Sequence, residues 1–198
     1  MYKTIFKRIF DLLISLIVFI FILPIFILII LIIKIDSKGP AFFMQKRIGK
    51  DKITFNILKF RSMRMDAPKD SPTHLLKDPN LYITKVGNFL RRSSLDELPQ
   101  LINIIKGDMS IVGPRPALWN QYDLIKERDK YNANNVRPGL TGLAQIKGRD
   151  ELSIEIKSKY DGEYVKDITF INDIKIIVKT FLKVISSDGV KEGESNNE

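Results

Sequence analysis

The sequence predicts an α+β protein, mainly helical, with an N-terminal membrane helix followed by a small globular domain that carries a short β-hairpin and amphipathic surface helices. Three observations carry that expectation. Leu12 to Ile33 is apolar except for Ser15 and Pro24, although the whole chain has a mean hydropathy of −0.04. Two Phe- and Ile-rich stretches, Ala41–Arg47 and Ile53–Met63, flank Gly49–Lys52, a hairpin pattern. Leu98, Leu101, Ile102 and Ile105 then recur at i, i+3, i+4 and i+7, one face of a helix.

The apolar run comes first. At ~1.5 Å per residue, about 22 residues reach across a hydrocarbon core of ~30 Å. A cleavable signal peptide would have a shorter core followed by small residues, whereas here bulky Ile and Leu lead into Lys34-Ile35-Asp36-Ser37-Lys38. Lys3, Lys7 and Arg8 precede the run and Lys34 and Lys38 follow it. Basic flanks favour the cytoplasmic side, and a straight spanning helix satisfies only one of them. Pro24 lies near the middle, where it breaks or kinks a helix. A re-entrant helix that bends at Pro24 and returns satisfies both flanks; a kinked spanning helix is the alternative. The expected division is therefore a membrane element over 1–38, a globular domain over 39–187 and a polar tail over 188–198.

Within the globular part, Asp66–Asn80 carries Pro68, Pro72 and Pro79 and reads as a loop. The single His, His74, falls there and reads as a surface residue. Gly107 ends the amphipathic helix, Gly113–Pro116 is a rigid turn, and Ala117–Tyr131 reads as a polar-faced helix. Arg137–Gly142 reads as a loop. Ile168–Ile185 is amphipathic and Lys-bearing, suited either to a membrane surface or to core packing. Trp119 and Tyr122 suit a sugar pocket, the membrane interface or the core equally.

Composition narrows the chemistry. The 198 residues carry 32 Lys plus Arg against 23 Asp plus Glu, a net charge of +9, with no Cys. Disulfides, thiolate metal sites and a cysteine nucleophile are excluded, and one His supports neither a multi-histidine metal site nor an expected Ser-His-Asp triad. There is no Gly-rich P-loop and no dinucleotide fingerprint. A basic surface suits anionic lipid, nucleic acid or a phosphorylated substrate.

Ser94-Leu95-Asp96-Glu97 fits a capping box, Ser94 capping and Glu97 reaching back. Either helix boundary, before or after the awkward Pro99, puts Asp96 and Glu97 at a helix N-terminus, which favours ionised carboxylates. Ordinary capping is the bland explanation. Against it, two adjacent carboxylates need cations nearby, and Arg91, Arg92, Lys59 and Arg61 are placed to supply them. Arg115, between two prolines, resembles a preorganised anion ligand. Carboxylates among Arg and Lys suit Mg²⁺ and phosphates, and an ionised Asp can attack phosphorus directly.

Leu95-Asp96-Glu97-Leu98-Pro99-Gln100-Leu101, Lys106-Gly107-Asp108-Met109-Ser110-Ile111-Val112-Gly113-Pro114-Arg115-Pro116 and Arg137-Pro138-Gly139-Leu140-Thr141-Gly142-Leu143-Ala144-Gln145 resemble, in that order, the bacterial sugar transferase family, the monotopic phosphoglycosyl transferases. Lys59-Phe60-Arg61-Ser62-Met63 and Lys7-Arg8-Ile9-Phe10-Asp11 extend the resemblance over nearly the whole chain, and its size is similar to the family's minimal form. The resemblance implies transfer of a sugar 1-phosphate from a UDP-sugar to a membrane polyprenol phosphate, with release of UMP, as the first membrane step of glycan assembly. By matching position it implies Asp96 as nucleophile in a ping-pong reaction and Glu97 as the Mg²⁺-binding carboxylate. Lys59, Arg91 and Arg115 then bind substrate phosphates, and Arg137, Gly139 and Thr141 are weaker candidates for nucleotide contact.

The implied setting is the cytoplasmic face of a bacterial inner membrane. Leu23 before Pro24 departs from the small or polar residue common there in the family, which bears on the sharpness of the bend. The tail Gly189-Val190-Lys191-Glu192-Gly193 is similar to that of small-form diacetylbacillosamine-phosphate transferases; galactose, glucose and N-acetylhexosamine phosphates are the alternatives, and neither the glycan pathway nor the oligomeric state follows. The rival is a non-catalytic, membrane-anchored basic protein binding anionic lipid or nucleic acid. It leaves the Asp96–Glu97 pair and the rigid turn unexplained, so no nucleic-acid partner is expected.

Overall fold

A computed structural model describes residues 2–68, 78–148 and 152–185. His74 and the polar tail lie outside the described residues, as does most of the Pro-rich loop.

The apolar run becomes one long helix, α1 (Lys7–Asp36), preceded by a π-helical turn over Tyr2–Phe6. It is long and apolar enough to cross a membrane. One stripe of α1 is buried against the rest of the chain: Lys7, Asp11, Ser15, then Phe26, Ile29 and Ile33, with Phe19 and Ile22 partly buried between them. The steps of three and four residues keep all eight on one face. The opposite face, Leu13, Ile17, Phe21 and Leu28 among it, is exposed. Pro24 lies on that exposed face, inside a helix that continues through it. The expected bend is therefore not a break in secondary structure; the helix forgoes only the hydrogen bond that Pro24 has no N–H to donate.

Both ends of α1 are tied to the globular domain. Near the N-terminus, Lys7 Nζ donates to Asp173 at 2.7 Å, Arg8 donates to the carbonyls of Ile104 and Ile105 at 2.6 and 2.9 Å, and Asp11 accepts from Ser110 Oγ at 2.6 Å. At the C-terminus, the buried Arg61 guanidinium donates to the carbonyls of Ser37 and Lys38 at 2.7 and 2.5 Å.

The expected hairpin forms from β1 (Phe42–Ile48) and β2 (Thr54–Phe60), antiparallel with Phe42 opposite Phe60. Their rings stack at 5.6 Å, and Phe26 of α1 packs on Phe60 at 4.7 Å. Two short helices follow, α2 (Lys85–Arg92) and α3 (Gln100–Lys106). In α3 the most deeply buried apolar residue is Ile104, one residue before the periodic face reached in sequence. The helix is gripped from two sides: Leu98 and Ile102 pack beside Phe60 and α1, while Leu101 and Ile104 pack with Ile57 and Met109.

The motif regions hold more structure than the sequence suggests. β3 (Ser110–Val112) runs parallel to β4 (Gly139–Thr141), so the segment expected to be a loop supplies a strand. The two backbones approach so closely that a Cβ on Gly139 would lie 2.1 Å from Gly113 N. The expected Ala117–Tyr131 helix shortens to α4 (Tyr122–Asp129), because Ala117 and Leu118 are held against β1. α5 (Leu143–Lys147) and α6 (Ile154–Lys166) were not anticipated, and α7 (Phe170–Ile185) falls where the last amphipathic stretch was expected. α7 packs Ile176 and Asp173 inward and exposes Phe170, Ile171, Ile174, Val178, Phe181 and Leu182.

Candidate active site

Three segments distant in sequence meet around two carboxylates. Ser94 takes a left-handed conformation (φ 57°), and a single 3₁₀ turn over Leu95–Glu97 follows before Pro99 opens α3. Pro99 thus sits at the helix boundary, where its missing N–H costs nothing. The expected capping box does not form: Ser94 makes no side-chain cap. Glu97 points instead at cations, its Oε1 accepting from Lys59 Nζ at 2.7 Å and from Arg115 Nη2 at 3.1 Å. Lys59 Nζ also stands 4.0 Å from Asp96 Oδ2, so one ammonium serves both carboxylates.

The two acids differ electrostatically. Burial pushes the Asp96 carboxyl above its ordinary range, and the adjacent Glu97 charge adds to this, against the pull of Lys59, Arg91 and Arg115. Burial works against ionisation of Glu97 too, but the charges and hydrogen bonds of Lys59 and Arg115 outweigh it and hold Glu97 well below the usual carboxylate range. Neighbouring carboxylates whose environments push them apart are suited to separate tasks.

Lys59 is placed by its strand and by Asn103. The Asn103 amide accepts from Leu58 N at 2.9 Å and donates to Asn56 O at 2.9 Å and to Asp108 Oδ2 at 3.2 Å. It pairs with the β2 edge as a neighbouring strand would, fixing β2 against α3. Nothing in the sequence around Asn103 signals this, since the partners lie 45 and 47 residues away. Arg61, two residues beyond Lys59, leaves the strand and secures the end of α1, so it does not join the carboxylates.

Arg115 sits in a segment whose successive carbonyls are all engaged. Pro114 O accepts from Gly139 N at 2.9 Å, Arg115 O from Arg128 Nη1 at 2.9 Å, Pro116 O from Arg47 Nη1 at 3.0 Å and Ala117 O from Ile48 N at 2.9 Å. With two prolines fixing φ as well, the backbone of Arg115 is immobilised while its side chain stays about 40% exposed.

Arg137, Gly139 and Thr141 are not brought to the carboxylates by any described contact. Arg137 Nε donates to Gly107 O at the end of α3, Thr141 Oγ1 bonds Thr180 Oγ1 at 2.6 Å, and Gly139 packs on Gly113. Their link to the site is through the backbone that holds the Arg115 turn. Lys46 lies over the Trp119 ring at 5.8 Å, and Tyr122 is exposed.

The donor set bears on Mg²⁺. Among the described residues no group of three or more His, Cys, Asp or Glu side chains converges. Mg²⁺ is commonly held by one or two carboxylates plus substrate phosphates, and Asp96 with Glu97 fits that pattern. The contacts from Lys59 and Arg115 at 2.7 and 3.1 Å both fall on Glu97 Oε1.

Comparison with known proteins finds one family over nearly the whole chain. Residues 2–187 match the family model of bacterial sugar transferases. The exopolysaccharide production protein ExoY of Sinorhizobium fredii is 37% identical over 197 residues, covering 92% of this chain and 87% of that protein. The undecaprenyl-phosphate galactose phosphotransferase of Salmonella typhimurium is 36% identical over 197 residues, 92% of this chain and 41% of its own length. The UDP-glucose:undecaprenyl-phosphate glucose-1-phosphate transferase of Escherichia coli is 41% identical over 186 residues, 89% of this chain and 39% of its own length.

Proposed function

The chain belongs to the bacterial sugar transferase family, and from that membership we propose that it is a phosphoglycosyl transferase moving a sugar 1-phosphate from a UDP-sugar to a polyprenol phosphate, with release of UMP. The observation that carries the reading is the Lys59-bridged pair of unlike carboxylates facing an immobilised Arg115.

In the first half-reaction an Asp96 carboxylate oxygen attacks the β-phosphorus of the donor. The bond from that phosphorus to the bridging oxygen breaks, and UMP leaves with the oxygen and its electron pair. In the second, a phosphate oxygen of the polyprenol phosphate attacks the same phosphorus and frees the Asp96 carboxylate. Both steps bring anions together, so positive charge must already be in place. Lys59 and Arg115 supply it from fixed positions, and Arg91 adds charge beside Asp96. Glu97, kept ionised, holds Lys59 and Arg115 in register. Mg²⁺, carried by Glu97 and the donor phosphates, would supply further neutralisation when bound.

α1 supports a membrane placement. A spanning helix leaves a domain on one side in touch with one end only, whereas here both ends are tied to the domain. That supports a re-entrant helix which puts the carboxylates at headgroup level, and the basic flanks argue for the cytoplasmic face.

The test is UMP release from a panel of UDP-sugars by detergent-purified protein with Mg²⁺ and no polyprenol phosphate. A burst of about one UMP per enzyme, absent in Asp96→Asn, is expected of a covalent intermediate. Turnover only after the acceptor is added would mean direct transfer instead.

A further inference from the structure

Beyond the groups that face the substrate, we infer that Arg128, through its buried pairing with Asp161, is a positioning residue for Arg115. This rests on the phosphate-binding role proposed above for Arg115.

Arg128 lies on α4 and Asp161 on α6, and their residues are 3% and 1% exposed. Arg128 Nε and Nη2 reach Asp161 Oδ2 at 2.8 and 2.6 Å, while Nη1 donates to the Arg115 carbonyl at 2.9 Å. The guanidinium therefore divides its donors: one edge neutralises its charge, the other grips the backbone of the residue whose side chain reaches Glu97. A buried ion pair is a poor source of stability, because desolvation offsets most of the Coulombic gain. What this pair provides that an apolar pair would not is a fixed donor aimed at one carbonyl. The next carbonyl, of Pro116, is held by Arg47 from the hairpin. Two rigid forks on successive carbonyls thus set where the Arg115 side chain leaves the backbone. A Lys at 128 keeps the charge but loses the fork, so it serves Asp161 or the carbonyl but not both.

The inference is tested by a double-mutant cycle. Steady-state UMP release with donor and polyprenol phosphate is measured for the full chain and for Arg128→Lys, Arg115→Met and the double variant, with Tm recorded for each. If Arg128 acts through Arg115, Arg128→Lys lowers kcat by roughly tenfold with KM within about twofold, yet costs less than about twofold in the Arg115→Met background. Equal losses in both backgrounds overturn the inference and leave the transferase reading intact. An Arg115→Met protein with full activity also overturns it, since nothing would remain to be positioned. A wild type that releases no UMP from any UDP-sugar overturns the functional reading and takes this role with it. Should Arg128→Lys fail to fold, Asp161→Asn, which keeps an acceptor oxygen but removes the charge, replaces it in the cycle; failure of both to fold overturns positioning in favour of a purely structural pair.

Discussion

Lys59 Nζ lies 2.7 Å from Glu97 Oε1 and 4.0 Å from Asp96 Oδ2, so a single ammonium on the hairpin holds together two carboxylates that would otherwise repel. Lys59→Met should lower the rate of UMP release by roughly 10²-fold or more, because the transition state loses the charge neutralisation that Lys59 supplies from the hairpin side. Steady-state kinetics check it; a loss confined to KM would mean that Lys59 binds donor without stabilising the transition state.

Burial raises the Asp96 carboxyl, so the folded chain binds its proton more tightly than the unfolded chain does, and ionising Asp96 at neutral pH costs stability. Asp96→Asn removes that cost. The variant should be inactive yet have a higher Tm than wild type at pH 7, a separation of stability from activity typical of catalytic groups. Calorimetry in a metal-free buffer decides it, and a lower Tm would show Asp96 to be a net stabiliser.

Glu97 has the opposite sign. Its folded-state value is lowered, so its contribution is fully present above the unfolded value of about 4.3 and is lost as the pH falls through the folded one. Glu97→Gln should therefore flatten the acid side of the stability profile below about pH 4.5, as well as lowering Tm at pH 7 by leaving Lys59 and Arg115 without the negative charge they share. Denaturation curves across pH 3 to 7 with chelator are the measurement.

Asn103→Leu should destabilise the protein by about 1–3 kcal/mol, since Leu58 N and Asn56 O lose their partner at a half-buried edge. The same change should slow catalysis, because Lys59 follows Leu58. Urea denaturation reads the first effect and UMP release the second.

Gly139→Ala should abolish the β3–β4 pair. The added methyl would meet Gly113 N at 2.1 Å and Thr141 O at 2.3 Å, both backbone atoms that cannot step aside. Gly107→Ala is the contrast: its φ of 99° is strained for alanine, but the methyl meets only the Arg8 side chain at 3.3 Å, so a loss of about 1 kcal/mol is expected. Comparing the two Tm values separates steric exclusion from backbone strain.

Lys3→Cys and Lys38→Cys, labelled in sealed vesicles with a membrane-impermeant reagent, should react from the same side. Labelling from opposite sides would replace the re-entrant helix with a kinked spanning one.

Much of this protein is written locally in its sequence. The apolar run, the hairpin around Gly49–Lys52, the amphipathic stretch that becomes α7 and the residues of the carboxylate site are legible, because periodicity, turn chemistry and adjacent charge are short-range properties. The Ser94 cap failed for a physical reason: Glu97 is offered two cations by the tertiary fold, and an ion pair with Lys59 and Arg115 outcompetes one backbone N–H. α6 carries no clear hydrophobic period, because its buried side includes the polar residues Ser158 and Asp161. Arg137–Gly142 looked like a loop because Pro and Gly punctuate it, yet Gly139 is there so that two backbones can touch. Which residues are present, and which stretches coil or extend, the chain determines by itself. That Arg115 is held by Arg128 from 13 residues away, and Leu58, beside Lys59, by Asn103 across 45, was decided only by folding, since hydrogen bonds between distant segments leave no period to read.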